Sequence, residues 1–367
     1  MKKNILLLLT IISLSGFISC KKSATEDNFD KKALFTNYAD NLIIPAYTAY
    51  GSTLITLEST ITAFYNAPDT VSFMAVQTAL LSAYEAWQSC EIYDKTDPAD
   101  AVQLLFNSNF YPSDTTAIHT NIQLNNNTPV FLQNASFNQK GLPALEYLFF
   151  SRNNSRAQLS ERFITNVNAA SYKTYALSLV AELKRLQSSV LSAWTSHRDI
   201  FINAVGTDAG SSFSALVNTI AYRNDNLKLF QVGTPAGYVA NTPTGVPFPG
   251  KVQAYYSNQS IAFMLLSLEN LKLVMKGKNG PGLYDYLKQL NVTSTIGGNL
   301  ADDLIDQIDL CIQKANACAP DFSATVVNDM AKADALFLET KKLTVLLKVD
   351  LPSAIGVSIS YTDNDGD

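Results

Sequence analysis

Ala176-Leu177-Ser178-Leu179-Val180-Ala181-Glu182-Leu183-Lys184-Arg185-Leu186-Gln187-Ser188-Ser189-Val190-Leu191-Ser192-Ala193-Trp194 is the stretch that decides the fold. Apolar side chains stand at Ala176, Leu179, Val180, Leu183, Leu186, Val190, Leu191 and Trp194, mostly three or four residues apart. On an α-helix such positions lie above one another on a single face. The pattern predicts a long helix over 158–197. A helix with one apolar stripe has to bury it against another element.

The same spacing recurs on both sides. Residues 33–65 read as helix and should end at Asn66-Ala67-Pro68. Asp69 is placed to cap a second helix running to about Tyr93, with Val76, Leu80, Ala83, Trp87 and Cys90 on its buried face. An irregular stretch with Pro98, Pro112 and Pro129 follows, holding one short helix that starts near Ser113 or Asp114. Another helix opens near Leu142 and runs to about Phe150. Helices are expected again at 211–230, 254–276, 283–290, 299–318 and 323–349. Between the first two of these, Gly233 to Gly250 is too rich in proline and glycine for a core element and reads as a long loop. Only Val357 to Tyr361 alternates like a strand.

Helices without a sheet imply an all-α fold of two helical-bundle domains packed side by side. The expected division is 33–198 and 199–352, with the boundary between His197 and Gly210 and a polar tail over 353–367.

The amino terminus carries Lys2 and Lys3, an apolar run from Ile5 to Ile12 and then Gly16-Phe17-Ile18-Ser19-Cys20. A charged start, a short apolar core and small residues before a cysteine describe the signal peptide of a lipoprotein. The expectation is cleavage after residue 19, lipid on Cys20 as the membrane anchor, and a polar tether over 20–32. That would place the protein in the cell envelope as an outer-membrane lipoprotein, periplasmic or surface-facing. Charged residues make up only 16 % of the chain and the net charge is −5. An acidic chain without basic clusters argues against nucleic-acid partners. Cys311 and Cys318 lie seven apart on one helix, about 10.5 Å along its axis, too far for a disulfide. Both, with Cys90, are expected as buried thiols.

Gly141-Leu142-Pro143-Ala144-Leu145-Glu146-Tyr147-Leu148-Phe149-Phe150 is a well-formed helix start, with proline in the first turn and Glu146 near the positive end of the helix dipole. The stretch resembles the Gly-x-His-x-x-Glu signature of the imelysin family, also called peptidase family M75. Gly141 and Glu146 match it, and Pro143 stands where the histidine belongs. Tyr84 to Glu91, with Trp87 and Glu91, is similar to the family's first-domain helix. Lys251 to Ser257, ending in Tyr256-Ser257, resembles its second-domain stretch, with Gln253 in place of a glutamate. The order and spacing of these pieces cover nearly the whole chain after Cys20. The resemblance implies two bundle domains with a site at their interface, and associations with iron-regulated lipoproteins, metal uptake and, in some members, proteolysis.

Pro143 has no ligand atom, and only His119 and His197 exist in the chain. Neither is read as a ligand. A metallopeptidase site needs about three protein ligands and a polarised water, and no HExxH or compact histidine set is present. The candidate interface site comprises Glu146 and Glu91, which are also the candidate ligands for iron or another divalent metal. With them come Gly141, Pro143, Trp87, Arg223, Asp225, Lys228, Tyr256 and Ser257. The leading expectation is a non-enzymatic binding lipoprotein that captures iron, another metal or a small ligand. The alternatives are an M75-type peptidase and an accessory lipoprotein contacting an outer-membrane protein.

Overall fold

A computed structural model of the protein describes residues 28–239 and 242–361. The expected signal peptide, Cys20, the first part of the tether and the end of the tail lie outside the described residues. Within them the fold is all-α. No described helix is long and apolar enough to cross a membrane.

The first group of helices is Ile44–Asn66, Thr70–Cys90 and Ala169–Asn203. The turn between the first two forms as expected. Asp69 Oδ1 accepts the Ser72 amide at 2.7 Å, and Ser72 Oγ accepts the Asp69 amide at 3.0 Å. These two bonds satisfy donors that the open helix end would leave exposed. The second group is Ser260–Lys276, Leu300–Asn316 and Met330–Val345. Thr70–Cys90 packs on Ser260–Lys276 and joins the two groups.

No division falls near residue 198. From Lys31 onward the chain is one compact unit. The first helix, Lys31–Asn37, explains part of this by reaching into the second half. Phe35 meets Phe213 edge-on at 4.8 Å. Asn37 Nδ2 donates to the Gly277 and Pro281 carbonyls at 2.7 and 3.0 Å. Tyr38 donates to the Val274 carbonyl at 2.6 Å.

Several expected helices are interrupted. The one over 158–197 is two helices, Arg156–Ile164 and Ala169–Asn203. Asn166 Oδ1 accepts the Asn168 amide at 2.8 Å, a local side-chain bond that competes with helical pairing. His197 therefore sits inside the second helix, against Trp194 at 5.2 Å, and not at its end. Wide π-helical turns occur at Tyr38–Ile43, Leu227–Gly233 and Leu346–Asp350. Pro45 follows the first of them. It has no N–H to donate into the preceding turn, so regular α-pairing cannot run through it.

The helix expected from 254 begins only at Ser260. Residues 249–259 form a 3-10 turn and further turns, with positive φ at Ala254 and Asn258. The long loop carries a two-residue antiparallel pair, Tyr238–Val239 with Thr242–Pro243, and the Tyr238 ring stacks on Phe337 at 4.0 Å. Val357 to Tyr361 is not a strand. It is held extended by Asn218, whose side chain donates to the Ser358 carbonyl and accepts the Ser360 amide at 2.9 and 2.7 Å. Cys90, Cys311 and Cys318 are buried free thiols, as expected.

Candidate functional site

The Thr70–Cys90 helix ends in a tight 3-10 turn, Glu91–Tyr93, which carries Glu91 just past the helix. Glu91 is fully buried and forms an ion pair with Arg223 from the Ser212–Asn226 helix. Ser267 ties the pair together. It accepts from the Arg223 guanidinium and donates to Glu91 Oε1 at 2.9 Å. Burial pushes the Glu91 carboxyl up from its ordinary range, against the pull of Arg223 and Ser267.

Beside this pair lies a cavity of about 110 Å³, room for several waters or a small organic group. Leu105, Phe106, Asn109, Phe110 and Tyr111 form one wall, and Asn226, Phe230 and Gln231 form the other. The second wall is shaped by the π-turn Leu227–Gly233, which follows the Arg223 helix without a break. Its extra residue per turn places Phe230 and Gln231 beside the same opening as Arg223 and Asn226. Phe110 and Phe230 remain 39 % and 51 % exposed. Asn109 Oδ1, Arg223 Nε and Gln231 Oε1 are buried and lack a protein hydrogen-bond partner, while the Asn226 side chain meets Tyr222. Gln231 is fixed from behind, since its Nε2 donates to Gln253 Oε1 at 2.8 Å. Gln253, which stands in the signature stretch in place of glutamate, thus acts one layer behind the cavity wall.

The signature helix is Gly141–Phe149. Gly141 has φ +78°, and a Cβ there would sit 2.4 Å from the Ser108 carbonyl oxygen. Only glycine lets this helix start against the backbone of the Leu104–Asn109 helix, the cavity's first wall. Glu146 falls beyond the first turn, so the dipole does not explain it. Ser257 does. Its amide and its hydroxyl both donate to Glu146 Oε1 at 2.7 Å. These donors are available because residues 254–258 are turn and not helix. Burial raises the Glu146 carboxyl from 4.5 to about 7 in spite of the Ser257 bonds.

An acid whose pKa rises on folding takes up protons as it folds. Its contribution is complete below about pH 4.5 and is lost as pH climbs through about 7. Glu146→Gln keeps an acceptor for Ser257 and removes the titration. Its stability relative to wild type is expected to be greater at pH 8 than at pH 4 by up to about 3 kcal/mol. Urea denaturation at the two pH values measures this, and a pH-independent difference would contradict it.

The remaining sequence candidates do not converge on one place. Trp87 is core, its ring 5.5 Å from Tyr50. Asp225 faces the second group, with Lys228 at 3.4 Å, Lys348 at 3.3 Å and the Tyr361 hydroxyl at 2.7 Å. Tyr256 and Ser257 line a separate open cleft with Gln77, Arg156 and Asn258. Tyr256 also packs on Tyr147 at 5.2 Å. His119 lies between two tyrosines, bonded to the Tyr147 hydroxyl through Nε2 and to Tyr172 through Nδ1 at 2.8 Å.

The imelysin family model, peptidase M75, matches residues 43–347. The chain belongs to the imelysin family. Its fold is similar to that of an imelysin-like protein from Psychrobacter arcticum 273-4, with 19 % identity and a TM-score of 0.68 over 90 % of this chain and 97 % of the other. It is also similar to a protein described as an iron-regulated protein A precursor from Parabacteroides distasonis ATCC 8503, with 14 % identity and a TM-score of 0.72 over 89 % and 95 %. At these identities the likeness is one of fold. No curated protein matches the chain.

The imelysin signature suggests a metal, and the donors here do not fit one. Among the described residues no three His, Cys, Asp or Glu side chains gather to hold an ion. Glu91 has its cation already in Arg223. Glu146 Oε1 is taken by two Ser257 donors. Pro143 offers nothing. A divalent ion needs several free oxygen or nitrogen ligands at one point, and this imelysin site does not supply them.

Proposed function

We propose that the protein is an envelope-anchored receptor that holds a small organic molecule in the Arg223–Glu91 cavity. One observation carries this reading. A cavity of about 110 Å³ opens between Phe106, Phe110 and Phe230, with the Glu91–Arg223 pair, Asn109, Asn226 and Gln231 in its wall. A mostly apolar opening with a few polar residues suits a small organic ligand. The anchor rests on Lys2, Lys3, the apolar run and Cys20.

The peptidase reading has less support. No Ser, Thr, Cys, Lys or His lines this cavity, and its one acid is ion-paired. The metal reading is tested by titrating the purified protein with iron(II), iron(III) and zinc, alongside Pro143→His, which restores the signature histidine. Neither protein is expected to gain a stoichiometric metal or a higher melting temperature. A saturable one-to-one metal complex in wild type would overturn the organic-ligand reading in favour of metal capture.

A further inference from the structure

We propose that the protein has a second ligand site, for a carboxylate-bearing small molecule, in the open cleft lined by Ser257 and Arg156. The cleft has a volume of about 390 Å³, within the range of small-molecule sites, roughly 300–1,000 Å³. It lies between the end of the signature helix, the Gln77 side of the Thr70–Cys90 helix and the turns at 256–259. Its charge differs from that of the Arg223–Glu91 cavity. Among the described residues, Arg156 is the one charged side chain that lines the cleft, with no Asp or Glu beside it.

Three arginines surround the end of the signature helix, and the fold uses two of them. Arg152 donates from Nε to the Tyr255 carbonyl at 2.7 Å and pairs with Asp321 at 2.8 Å. Arg162 donates to the Tyr147 and Leu148 carbonyls at 2.9 and 3.3 Å. Arg156 is different. Its Nε donates to Gln77 Oε1 at 2.8 Å. Gln77 is only 7 % exposed and is itself fixed, since its Nε2 donates to the Phe149 carbonyl at 2.8 Å. Among the described residues Arg156 makes no other hydrogen bond. Both terminal NH2 groups of its guanidinium therefore keep their hydrogens for an outside acceptor. A buried glutamine thus orients a planar fork at the wall of the cleft.

The fork and its single charge set the ligand class. A guanidinium recognises carboxylate and phosphate through paired, parallel N–H bonds. One unmatched cation balances one negative charge. A carboxylate meets that condition, and a phosphate monoester, with a charge of about −1.5 to −2 at neutral pH, does not. The Arg156–Ile164 helix begins at this wall, and its dipole adds positive potential there. Glu146 does not pair with the fork, because its Oε1 accepts from the Ser257 amide and hydroxyl one layer behind the cleft. Leu81 and Phe150 offer the body of the ligand an apolar surface, and Asn154 and Asn258 offer it a polar rim.

The test uses hippurate, its neutral amide hippuramide and phenyl phosphate on the purified protein, with binding followed by saturation-transfer NMR and calorimetry. Hippurate is expected to bind at least about tenfold more tightly than hippuramide, which cannot form the charge-assisted pair. Arg156→Gln, at an exposed position, should bring hippurate down to the level of the amide. Arg156→Lys should return only part of the loss, because an ammonium keeps the charge without the fork. Phe230→Ala, at the mouth of the other cavity, should leave hippurate binding unchanged. Hippurate that binds wild type and Arg156→Gln alike, or no more tightly than hippuramide, would overturn the site. Phenyl phosphate binding more tightly than hippurate would overturn the carboxylate class. Hippurate lost in Phe230→Ala and kept in Arg156→Gln would move it to the Arg223–Glu91 cavity, overturning this inference and leaving the receptor reading intact. No hippurate binding up to its solubility would also overturn the inference, without bearing on the receptor reading.

Discussion

Replacing Arg223 by Met is expected to destabilise the protein by about 3–5 kcal/mol at neutral pH, the cost of leaving a buried acid without its partner. Glu91 is buried at 2 % exposure, and its remaining neighbours are the Ser267 hydroxyl and the Trp87 side chain. Without the guanidinium, burial is opposed only by these neighbours, and the Glu91 pKa moves further up. Folding of the variant therefore favours the protonated acid more strongly than in wild type, and that preference costs more as pH rises. Its deficit should be larger at pH 8 than at pH 5, in denaturant melts of variant and wild type. A second change, Glu91→Gln, removes the stranded charge and should return much of the loss. The double-mutant cycle then reads the coupling between the two positions. A deficit unchanged between pH 5 and pH 8, and untouched by Glu91→Gln, would mean that the ion pair is not what the arginine supplies.

Gly141→Ala should be about as damaging. A left-handed backbone costs an L-residue roughly 1–2 kcal/mol. Here the added Cβ would also lie 2.4 Å from the Ser108 oxygen and 3.0 Å from the Asn107 oxygen. Both are backbone atoms and cannot swing aside as a side chain could. The signature helix must then back away from Leu104–Asn109, and the wall that carries Leu105, Phe106 and Asn109 moves with it. The expected result is a stability loss above the left-handed cost alone, together with weakened ligand binding. Thermal and urea denaturation give the first, and the adduct seen by native mass spectrometry gives the second. A loss below about 1 kcal/mol would show that the contact relaxes freely.

The helical framework was legible because it rests on local pattern. The apolar stripe through Trp194, the Asp69 cap and the proline-rich break after Gly233 all act within a few residues of themselves. The break at Thr165–Asn168 was not legible, since polar asparagines suit both a helix surface and a turn. Glu91, Arg223 and Glu146 could be picked out as functional candidates from resemblance. Their partners could not, because Arg223 and Ser267 lie far from Glu91 in sequence and Ser257 far from Glu146. Asp225 and Lys228 follow Arg223 closely in sequence, yet Asp225 turns away from the cavity to meet Lys228, Lys348 and Tyr361. No local pattern in the sequence marks the second cavity wall. Asn226, Phe230 and Gln231 reach the opening through a π-turn, and amphipathic spacing counted at 3.6 residues per turn misplaces them. Asn109 lies between Pro98 and Pro112, in a stretch without helical periodicity. An amide beside aromatic residues at 106 and 110 was the signal available there.

Native mass spectrometry of the protein taken from its own membrane distinguishes an organic ligand from a metal ion in this imelysin. The account predicts a chain beginning at a lipid-bearing Cys20 with one non-covalent organic adduct, released on denaturation and absent from Gln231→Leu. An empty chain, or one carrying a metal ion that Glu146→Gln or Glu91→Gln releases, would contradict it.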